Sequence, residues 1–376
     1  MKRLLSLALA LLLPAPALPC TLCGSNVPNT STLRQDFAAS KMVLYGTVTN
    51  AKLNAGGTGS VDLQIGSVLK NDPFLNGKKA VQLAKYVPDD PKDPPKYLVF
   101  CNTINGKLDP YRALPLKSAA VVDYLRGAAA LDPKDASAAL LYFFRYLDHA
   151  DADVAADAYL EFAKANDQEV GQVARRLDPD KLYRLINDPQ TQANRLGLYA
   201  FLLGGCGKDK EADLLRKMLD KPSQKQLSAF DGILAGYIQL KPREGWELAL
   251  NMIKDPKRPF LERYAVVQAL RFYRGWKGDE IKPEVLRCFT LALPQGDIAD
   301  LPIEDLRRWQ WWDLTNSVLA LYGRETHKAP LMRRAIIRYA LSCPRQEALD
   351  FVKRARQNDP ATVRDVEESL QFEKKK

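Results

Sequence analysis

The sequence predicts a multidomain α+β protein in which a small β-barrel domain precedes a long α-helical solenoid. Three observations carry this prediction: strand-like patterning between residues 42 and 112, helical periodicity from Leu116 onward, and a length of 376 residues, too long for one small module. With 46% hydrophobic and 27% charged residues, the composition is that of an ordinary folded protein. We divide the chain into a signal peptide (1–17), a β-domain (18–115) and a helical domain (116–376).

The first residues have the pattern of a secretory signal peptide. Lys2 and Arg3 are positively charged, residues 4–13 form an apolar run, and residues 15–17 have the small-x-small pattern of a signal peptidase site. This run is shorter than the roughly 20 apolar residues that span a bilayer. We therefore expect an exported chain, periplasmic or extracellular, without a transmembrane segment. A lipoprotein acylated at Cys20 is the minor alternative.

Six cysteines follow the expected cleavage site, and an even number in an oxidising compartment predicts disulfides. Cys20 and Cys23 form a C-x-x-C motif. Gly24 excludes a c-type haem site, which needs histidine there, whereas a thioredoxin-like redox pair, half of a zinc site and a structural pair remain open. We favour the structural interpretation, in which one or both cysteines are linked to Cys101. No cofactor is expected.

The strands of the β-domain are predicted from short runs of alternating or β-branched residues. Turn residues separate the runs, as in the Gly-rich segment 54–59 and the Pro-rich segment 89–95. Thr32 and Gln35 have the spacing of a capping box, which predicts a short helix before the first strand. Four or five strands in about 70 residues favour a small barrel or sandwich over a parallel sheet. The predicted strands are 42–48, 61–65, 80–87 and 96–101.

The order of these elements resembles the OB-type barrel of netrin and metalloproteinase-inhibitor modules. The similar features are a cysteine pair at the mature start, a short helix, a strand ending in residues 44–48, a second at 61–65, and the segment 97–101. In those inhibitors a C-x-C begins the mature chain and chelates the target's zinc, whereas this chain has C-x-x-C and an expected start at Leu18. The resemblance therefore implies a binding module that is stabilised by its cysteines. It does not imply that the chain inhibits proteases.

From Leu116 the hydrophobic period is helical, with short links and repeated Asp-Pro steps in which proline starts the next helix. Helix pairs recur at roughly 30 to 40 residues, the period of helical-repeat solenoids. Segment 195–204 followed by 212–219 resembles a HEAT-type pair, and the whole chain resembles secreted bacterial HEAT-like proteins of unassigned activity. Stacked pairs form a groove suited to binding. The glycine-rich segment 204–207 is interpreted as a helix end.

Motifs for catalysis are lacking in the sequence. It contains no G-x-S-x-G, H-E-x-x-H, P-loop or G-x-G-x-x-G, and two histidines offer little material for acid–base or metal chemistry. His149 stands among aspartates at a helix junction, where these charges complement the helix dipoles. His327 is expected in a solvated loop. We therefore expect a protein that is not an enzyme, with no catalytic residue and no metal site.

The most unusual local run is Arg307-Arg308-Trp309-Gln310-Trp311-Trp312. Trp309 and Trp312 are three apart and share a helix face, whereas Trp311 points elsewhere, so at least one indole is expected near the surface if the helix is only half-buried. Tryptophan beside arginine is typical of binding hot spots, and packing in the core is the alternative. The candidate binding surface consists of Arg307, Arg308, Trp309, Trp311, Trp312, Arg334 and Arg338.

The net charge of +10 falls to +8 without Lys2 and Arg3, since 53 basic residues then face 45 acidic ones. Acids are interleaved with the bases and no recognition motif for nucleic acid is present, so nucleic acid is not an expected partner. The sequence predicts an exported, non-catalytic binding or scaffold protein that contacts another protein or an envelope polymer. The alternative is a thiol or redox function at Cys20 and Cys23.

Overall fold

The structure, a computed structural model, describes residues 20–23, 30–54, 56–88, 90 and 92–373. A five-stranded antiparallel sheet near the N-terminus is followed by α-helices, which confirms the predicted α+β class. The strands are β1 (Met42–Leu53), β2 (Gly59–Lys70), β3 (Ala80–Leu83), β4 (Lys96–Ile104) and β5 (Lys107–Leu116).

Helix α1 (Leu33–Ala39) precedes the sheet, and all the other α-helices follow it. In chain order they are α2 (Ala120–Ala129), α3 (Ala136–Phe144), α4 (Ala152–Lys164), α5 (Asp167–Ala174), α6 (Pro179–Asn187), α7 (Ala193–Cys206), α8 (Asp209–Asp220), α9 (Gln224–Leu227), α10 (Phe230–Leu240), α11 (Pro242–Lys254), α12 (Phe260–Lys277), α13 (Lys282–Ala292), α14 (Asp300–Arg308), α15 (Thr315–Leu319), α16 (Pro330–Ser342), α17 (Gln346–Asn358) and α18 (Pro360–Glu373).

The sheet separates two apolar cores. Successive residues of a strand point to opposite faces, so Val43 packs into the large core shared with the helices whereas Leu44 packs into a smaller core on the other face. Along β4, Phe100 likewise joins the helical core and Cys101 the smaller one. A shift of register by one residue would exchange the two sets of side chains, which fixes the pairing.

The predicted closed barrel is wrong, because the sheet is open. Its strand order is β3-β2-β1-β4-β5, and the outer strands β3 and β5 do not pair with each other in the described part of the chain. β3 has only four residues and offers a short edge. β5 instead contacts α1, where Arg112 binds the Asp36 carboxylate and the Tyr111 hydroxyl donates to the Asp36 carbonyl oxygen at 3.0 Å.

The capping box predicted for α1 is confirmed. The backbone N–H groups of Thr32 and Gln35 each donate to the other residue's side-chain oxygen, both at 3.1 Å. At the other end of α1, the Lys70 ammonium group donates to the carbonyl oxygens of Phe37 at 2.8 Å and Ser40 at 2.5 Å. This cation complements the negative end of the helix dipole and attaches α1 to β2.

Helices α7 and α10 touch through their backbones. A Cβ atom on Gly232 would lie 2.2 Å from the Gly197 carbonyl oxygen, and one on Gly204 would lie 2.4 Å from that of Gly236. On its other side α10 packs against α12. The predicted helix end in segment 204–207 is therefore only partly right: α7 ends at Cys206, but Gly204 remains helical and serves close packing.

The segment Thr21–Cys23 forms a short 3₁₀ turn that packs against α7 and α12. Leu22 is buried there, and a Cβ on Gly197 would lie 3.4 Å from its carbonyl oxygen. This first described segment thus lies against the helices, although it precedes the sheet in the sequence.

Candidate ligand-binding cleft

A cleft of about 420 Å³ lies where the sheet meets the helices, and we call it the sheet–helix cleft. Its walls come from the segment before α1, from β5, and from α2, α4 and the first turn of α7. The lining residues are Thr30, Ser31, Leu33, Arg112, Leu114, Pro115, Leu116, Val121, Asp153, Ala156, Asp157, Tyr159, Leu160, Gln192, Asn194 and Arg195.

Apolar side chains form much of the cleft wall. Leu33 and Val121 are buried, and Leu114, Leu116 and Leu160 are half-buried. A cavity of this volume lies within the range of about 300–1,000 Å³ that is typical of small-molecule sites, which are mostly apolar with a few fixed polar groups.

Arg112 fixes the wall formed by β5 and the segment before α1. Its guanidinium group binds the buried Asp36 carboxylate and donates to the Ser31 carbonyl oxygen at 3.0 Å. The Ser31 hydroxyl donates to Asp36 at 2.5 Å. Partial burial lowers the pKa of Arg112, and the nearby Asp157 raises it. The Arg112 charge is thus neutralised within the protein.

Asp157 connects three of the surrounding elements. It belongs to α4, is 8% exposed, and accepts hydrogen bonds from the Leu33 backbone N–H and from the Tyr124 hydroxyl, both at 2.8 Å. Burial raises the pKa of Asp157 to about 6, although these hydrogen bonds and Arg112 oppose the rise. Because Leu33 lies in α1 and Tyr124 in α2, one carboxylate joins α1, α2 and α4.

Arg195 lies at the start of α7 and is half-buried. Its guanidinium carbon lies 5.2 Å from the centre of the Tyr159 ring, and the Tyr159 hydroxyl donates to the Asn194 carbonyl oxygen at 2.8 Å. The Arg195 Nε atom is buried without a hydrogen-bond partner among the described residues. Unlike Arg112, this cation has no internal carboxylate partner in the described part of the chain.

The polar groups of the cleft lining are mostly engaged with other protein groups. The described residues that line it include no histidine, cysteine or lysine. Ser31 donates to Asp36, whose carboxylate is bound by Arg112, so no free base stands beside this hydroxyl. The arrangement can hold an apolar molecule and hydrogen-bond a polar group on it.

The structure brings only part of the predicted binding surface together. Arg307, Arg308 and Trp312 line a second cavity of about 530 Å³ with Gln310, and we call this set the tryptophan corner. The predicted shared face of Trp309 and Trp312 is wrong, because α14 ends at Arg308.

The indoles differ in their surroundings. Trp311 is 5% exposed, and the ring centres of Trp309 and Trp311 lie 5.1 Å apart. Trp309 stacks on Phe289, with 5.8 Å between ring centres. Trp312 is half-buried, 5.1 Å from the ring centre of Tyr339. Trp311 is therefore buried, Trp309 and Trp312 are both half-buried, and of the three indoles Trp312 is the one that lines the second cavity.

Gln310 has a backbone φ of 57°, the left-handed conformation that non-glycine residues rarely adopt. The Gln310 N–H donates to the Arg307 carbonyl at 3.1 Å and the Trp311 N–H to the Leu306 carbonyl at 2.9 Å. These two bonds form a Schellman motif, in which glycine usually holds the position of Gln310. A glutamine side chain at such a position, in the lining of a cavity, marks a candidate binding point.

Arg334 and Arg338 contact the last helix. Arg334 pairs with Asp365 at 2.8 Å, and Arg338 donates to the Ser369 hydroxyl at 3.0 Å. Both partners belong to α18, so these arginines attach α16 to α18 and do not line the tryptophan corner.

Cys20 and Cys101 have free thiols and belong to different cores. Cys20 is 3% exposed and lies with the helices, whereas Cys101 faces the smaller core of the sheet. Burial raises the pKa of Cys101 to about 12. The Cys23 side chain and the expected signal peptide lie outside the described residues, so the disulfide, thiol and export interpretations stay predictions.

His327 is not solvated as predicted but fully buried. Its Nε2 lies 2.9 Å from the Leu293 carbonyl oxygen and its Nδ1 lies 2.8 Å from the Thr326 hydroxyl oxygen. Because a carbonyl only accepts, Nε2 donates to Leu293, the residue that caps α13. In the described part of the chain, no group of three or more His, Cys, Asp or Glu side chains is placed to hold a metal ion.

Comparisons of this chain with protein-family models, with characterised proteins and with solved structures find no match. The OB-type and HEAT-type resemblances therefore remain interpretations of the sequence. Within the described residues, no helix combines the length and the apolar character needed to cross a membrane.

The sequence interpretation missed the sheet–helix cleft. Arg112, Asp157 and Arg195 come from three separate elements, and none belongs to a motif. The one local signal is the change from strand to helix periodicity at Leu116, because clefts between packed units are preferred ligand sites.

Proposed function

We propose that this chain is an exported, non-catalytic binding protein and that the sheet–helix cleft holds its ligand. The observation that carries the proposal is an apolar-walled cleft of about 420 Å³ between the sheet and the helices. Such a cleft, with a few fixed polar groups, is the arrangement expected of a small-molecule site.

Hydrogen bonds between the walls support a cleft that is formed before the ligand arrives. Arg112 joins β5 to Asp36 of α1, and Asp157 joins α4 to α1 and α2. Tyr159 of α4 donates to Asn194 of α7 at 2.8 Å. Walls already held in place lose little conformational entropy on binding, which favours affinity.

The wider architecture is proposed to be a helical repeat array. Helices α7, α10 and α12 pack side by side, and α14, α16 and α18 do so later in the chain. Successive packing of this kind is what stacked helix pairs require. Together with the signal-like N-terminus, it supports an exported scaffold that presents binding surfaces.

A second surface, the tryptophan corner, is proposed to contact the protein or envelope-polymer partner. The left-handed backbone conformation of Gln310 supports a binding role for this surface, since the Gln310 side chain lines the cavity beside Arg308 and Trp312. Sedimentation with purified peptidoglycan tests the polymer: Arg308→Glu is expected to reduce binding, and Arg354→Glu, an exposed arginine of α17, to leave it unchanged. Equal binding by both variants would remove this surface from the proposal.

The cleft is tested with N-phenyl-1-naphthylamine, an uncharged dye that fluoresces in apolar surroundings. The full chain is expected to bind it, and Ala156→Trp, which fills the cleft from α4, to weaken binding at least tenfold. Ala152→Trp, on the same helix outside the cleft lining, is the matched control and should bind like the unchanged chain. Equal binding by the two variants would refute the proposal.

A further inference from the structure

The charged side chains that line the sheet–helix cleft differ in the ion pairs and hydrogen bonds that they make with the rest of the protein. Arg112 binds the Asp36 carboxylate, and Asp157 accepts two hydrogen bonds at 2.8 Å. Asp153 is exposed. Arg195 is the remaining charged side chain of the lining, and it forms no ion pair within the described residues.

The Arg195 guanidinium group is positioned for a ligand. Its Nε is enclosed by protein atoms, so a ligand in the cleft reaches the two Nη groups, which are not among the buried atoms and make no hydrogen bond or ion pair within the described residues. The Tyr159 ring, 5.2 Å from the guanidinium carbon, holds the group by a cation–π contact. A planar guanidinium fixed in this way can bind a carboxylate through two parallel hydrogen bonds.

The start of α7 adds a smaller positive potential. Gln192, Asn194 and Arg195 all line the cleft, so the N-terminal end of this 14-residue helix faces it. The Gln192 side chain makes no capping hydrogen bond. The positive end of the helix dipole therefore acts in the same direction as the Arg195 charge.

From these observations we infer that the ligand is an amphipathic carboxylate, whose apolar body contacts Leu114, Leu116 and Leu160 and whose carboxylate binds Arg195. This inference rests on the proposed function, because it names the ligand class for the same cleft. Among the described residues of the lining, Arg195 is the one cation without a carboxylate partner, so the cleft offers a single site for an anionic group. A doubly charged phosphate would need a second free cation, and Arg112 is already bound to Asp36.

The experiment measures displacement of N-phenyl-1-naphthylamine from the full chain by four ligands of equal chain length. Decanoate is expected to displace the dye at concentrations at least tenfold lower than decanol or decyltrimethylammonium do, and also lower than decyl phosphate does. Arg195→Gln is expected to weaken decanoate binding about tenfold and to leave decanol unchanged. Arg184→Gln, an exposed arginine of α6, is the matched control and should keep the full preference.

The comparison of ligands on the unchanged chain decides the inference even if Arg195→Gln does not fold. Equal displacement by decanol and decanoate would overturn it, while dye binding that is sensitive to Ala156→Trp would still support the proposed function. Stronger binding of decyl phosphate would also overturn it. If the dye does not bind in the cleft at all, the proposed function fails, and the inference fails with it.

Discussion

The Thr21 backbone N–H donates to the Asp167 Oδ1 atom at 2.8 Å, across 146 positions of sequence. The Thr21 hydroxyl donates to the same carboxylate, 3.2 Å from Oδ2. Asp167 begins α5 and is 7% exposed. A Cβ on Gly275 would lie 2.3 Å from Oδ2, so α12 leaves room for the carboxylate only because glycine stands there. One buried carboxylate thus joins the first described segment to the helices.

Asp167 should make the stability of the protein depend on pH. Burial raises its pKa to about 7 from the ordinary 3.8, against the hydrogen bonds from Thr21. Between about pH 4 and 7 the folded chain therefore binds more protons than the unfolded chain, so stability falls as pH rises. Asp157, whose pKa is raised to about 6, adds to the same trend over a narrower range.

Asp167→Asn is expected to reduce this dependence, because asparagine stays neutral and its side-chain oxygen still accepts from the Thr21 N–H. Thermal unfolding between pH 4 and pH 8 checks the expectation. Asp213→Asn, an exposed aspartate of α8, is the control and should keep the decline. Identical profiles for the unchanged chain and Asp167→Asn would contradict the account of this carboxylate.

Because α7 and α10 touch through their backbones, adding one methyl group between them is expected to destabilise the protein. In Gly204→Ala the new Cβ would meet the Gly236 carbonyl oxygen at 2.4 Å, and neither backbone can move without disturbing packed neighbours. We expect the free energy of unfolding to fall by about 1–3 kcal/mol, as for other overpacked cores.

Denaturant unfolding measures this cost. Gly56→Ala is the control, since no atom lies within 4 Å of a Cβ built there, and it should change stability little. If both variants were equally stable, α7 and α10 could not approach as closely as described.

At position 310, replacing the residue by glycine is expected to stabilise the protein. In Gln310→Gly the left-handed φ of 57° would no longer be strained, so the free energy of unfolding should rise by about 0.5–1 kcal/mol. Gln172→Gly, at an exposed position of α5, should lower it by up to about 1 kcal/mol, because glycine is a poor helix former. Urea unfolding compares the two, and a loss of stability at both positions would contradict the strained turn.

Features set by local periodicity were predictable from the sequence. Alternating residues placed β1 to β4, whereas β5 was not among the predicted strands, and the capping box at Thr32 and Gln35 placed α1. The change of period near Leu116 coincides with the end of β5. Such features depend on neighbours in the chain, which the sequence displays directly.

Features set by distant contacts were not predictable in this way. Barrel closure depends on whether the outer strands β3 and β5 pair, and here β5 contacts α1 instead. The cleft depends on how β5, α4 and α7 meet. The burial of His327 depends on the Leu293 carbonyl of another element. The shared helix face predicted for Trp309 and Trp312 was wrong for a local reason. Glycine usually occupies the left-handed position after a helix end, but here that residue is Gln310, so no local signal indicated that α14 ends before the tryptophans.

The most direct test of the ligand-binding cleft is a crystal structure of the full chain with a decanoate that carries bromine at its far end. We predict an anomalous bromine peak among Leu114, Leu116 and Leu160, with the carboxylate within hydrogen-bond distance of Arg195. A bromine peak at any other place, with no ligand density in the sheet–helix cleft, would contradict the account.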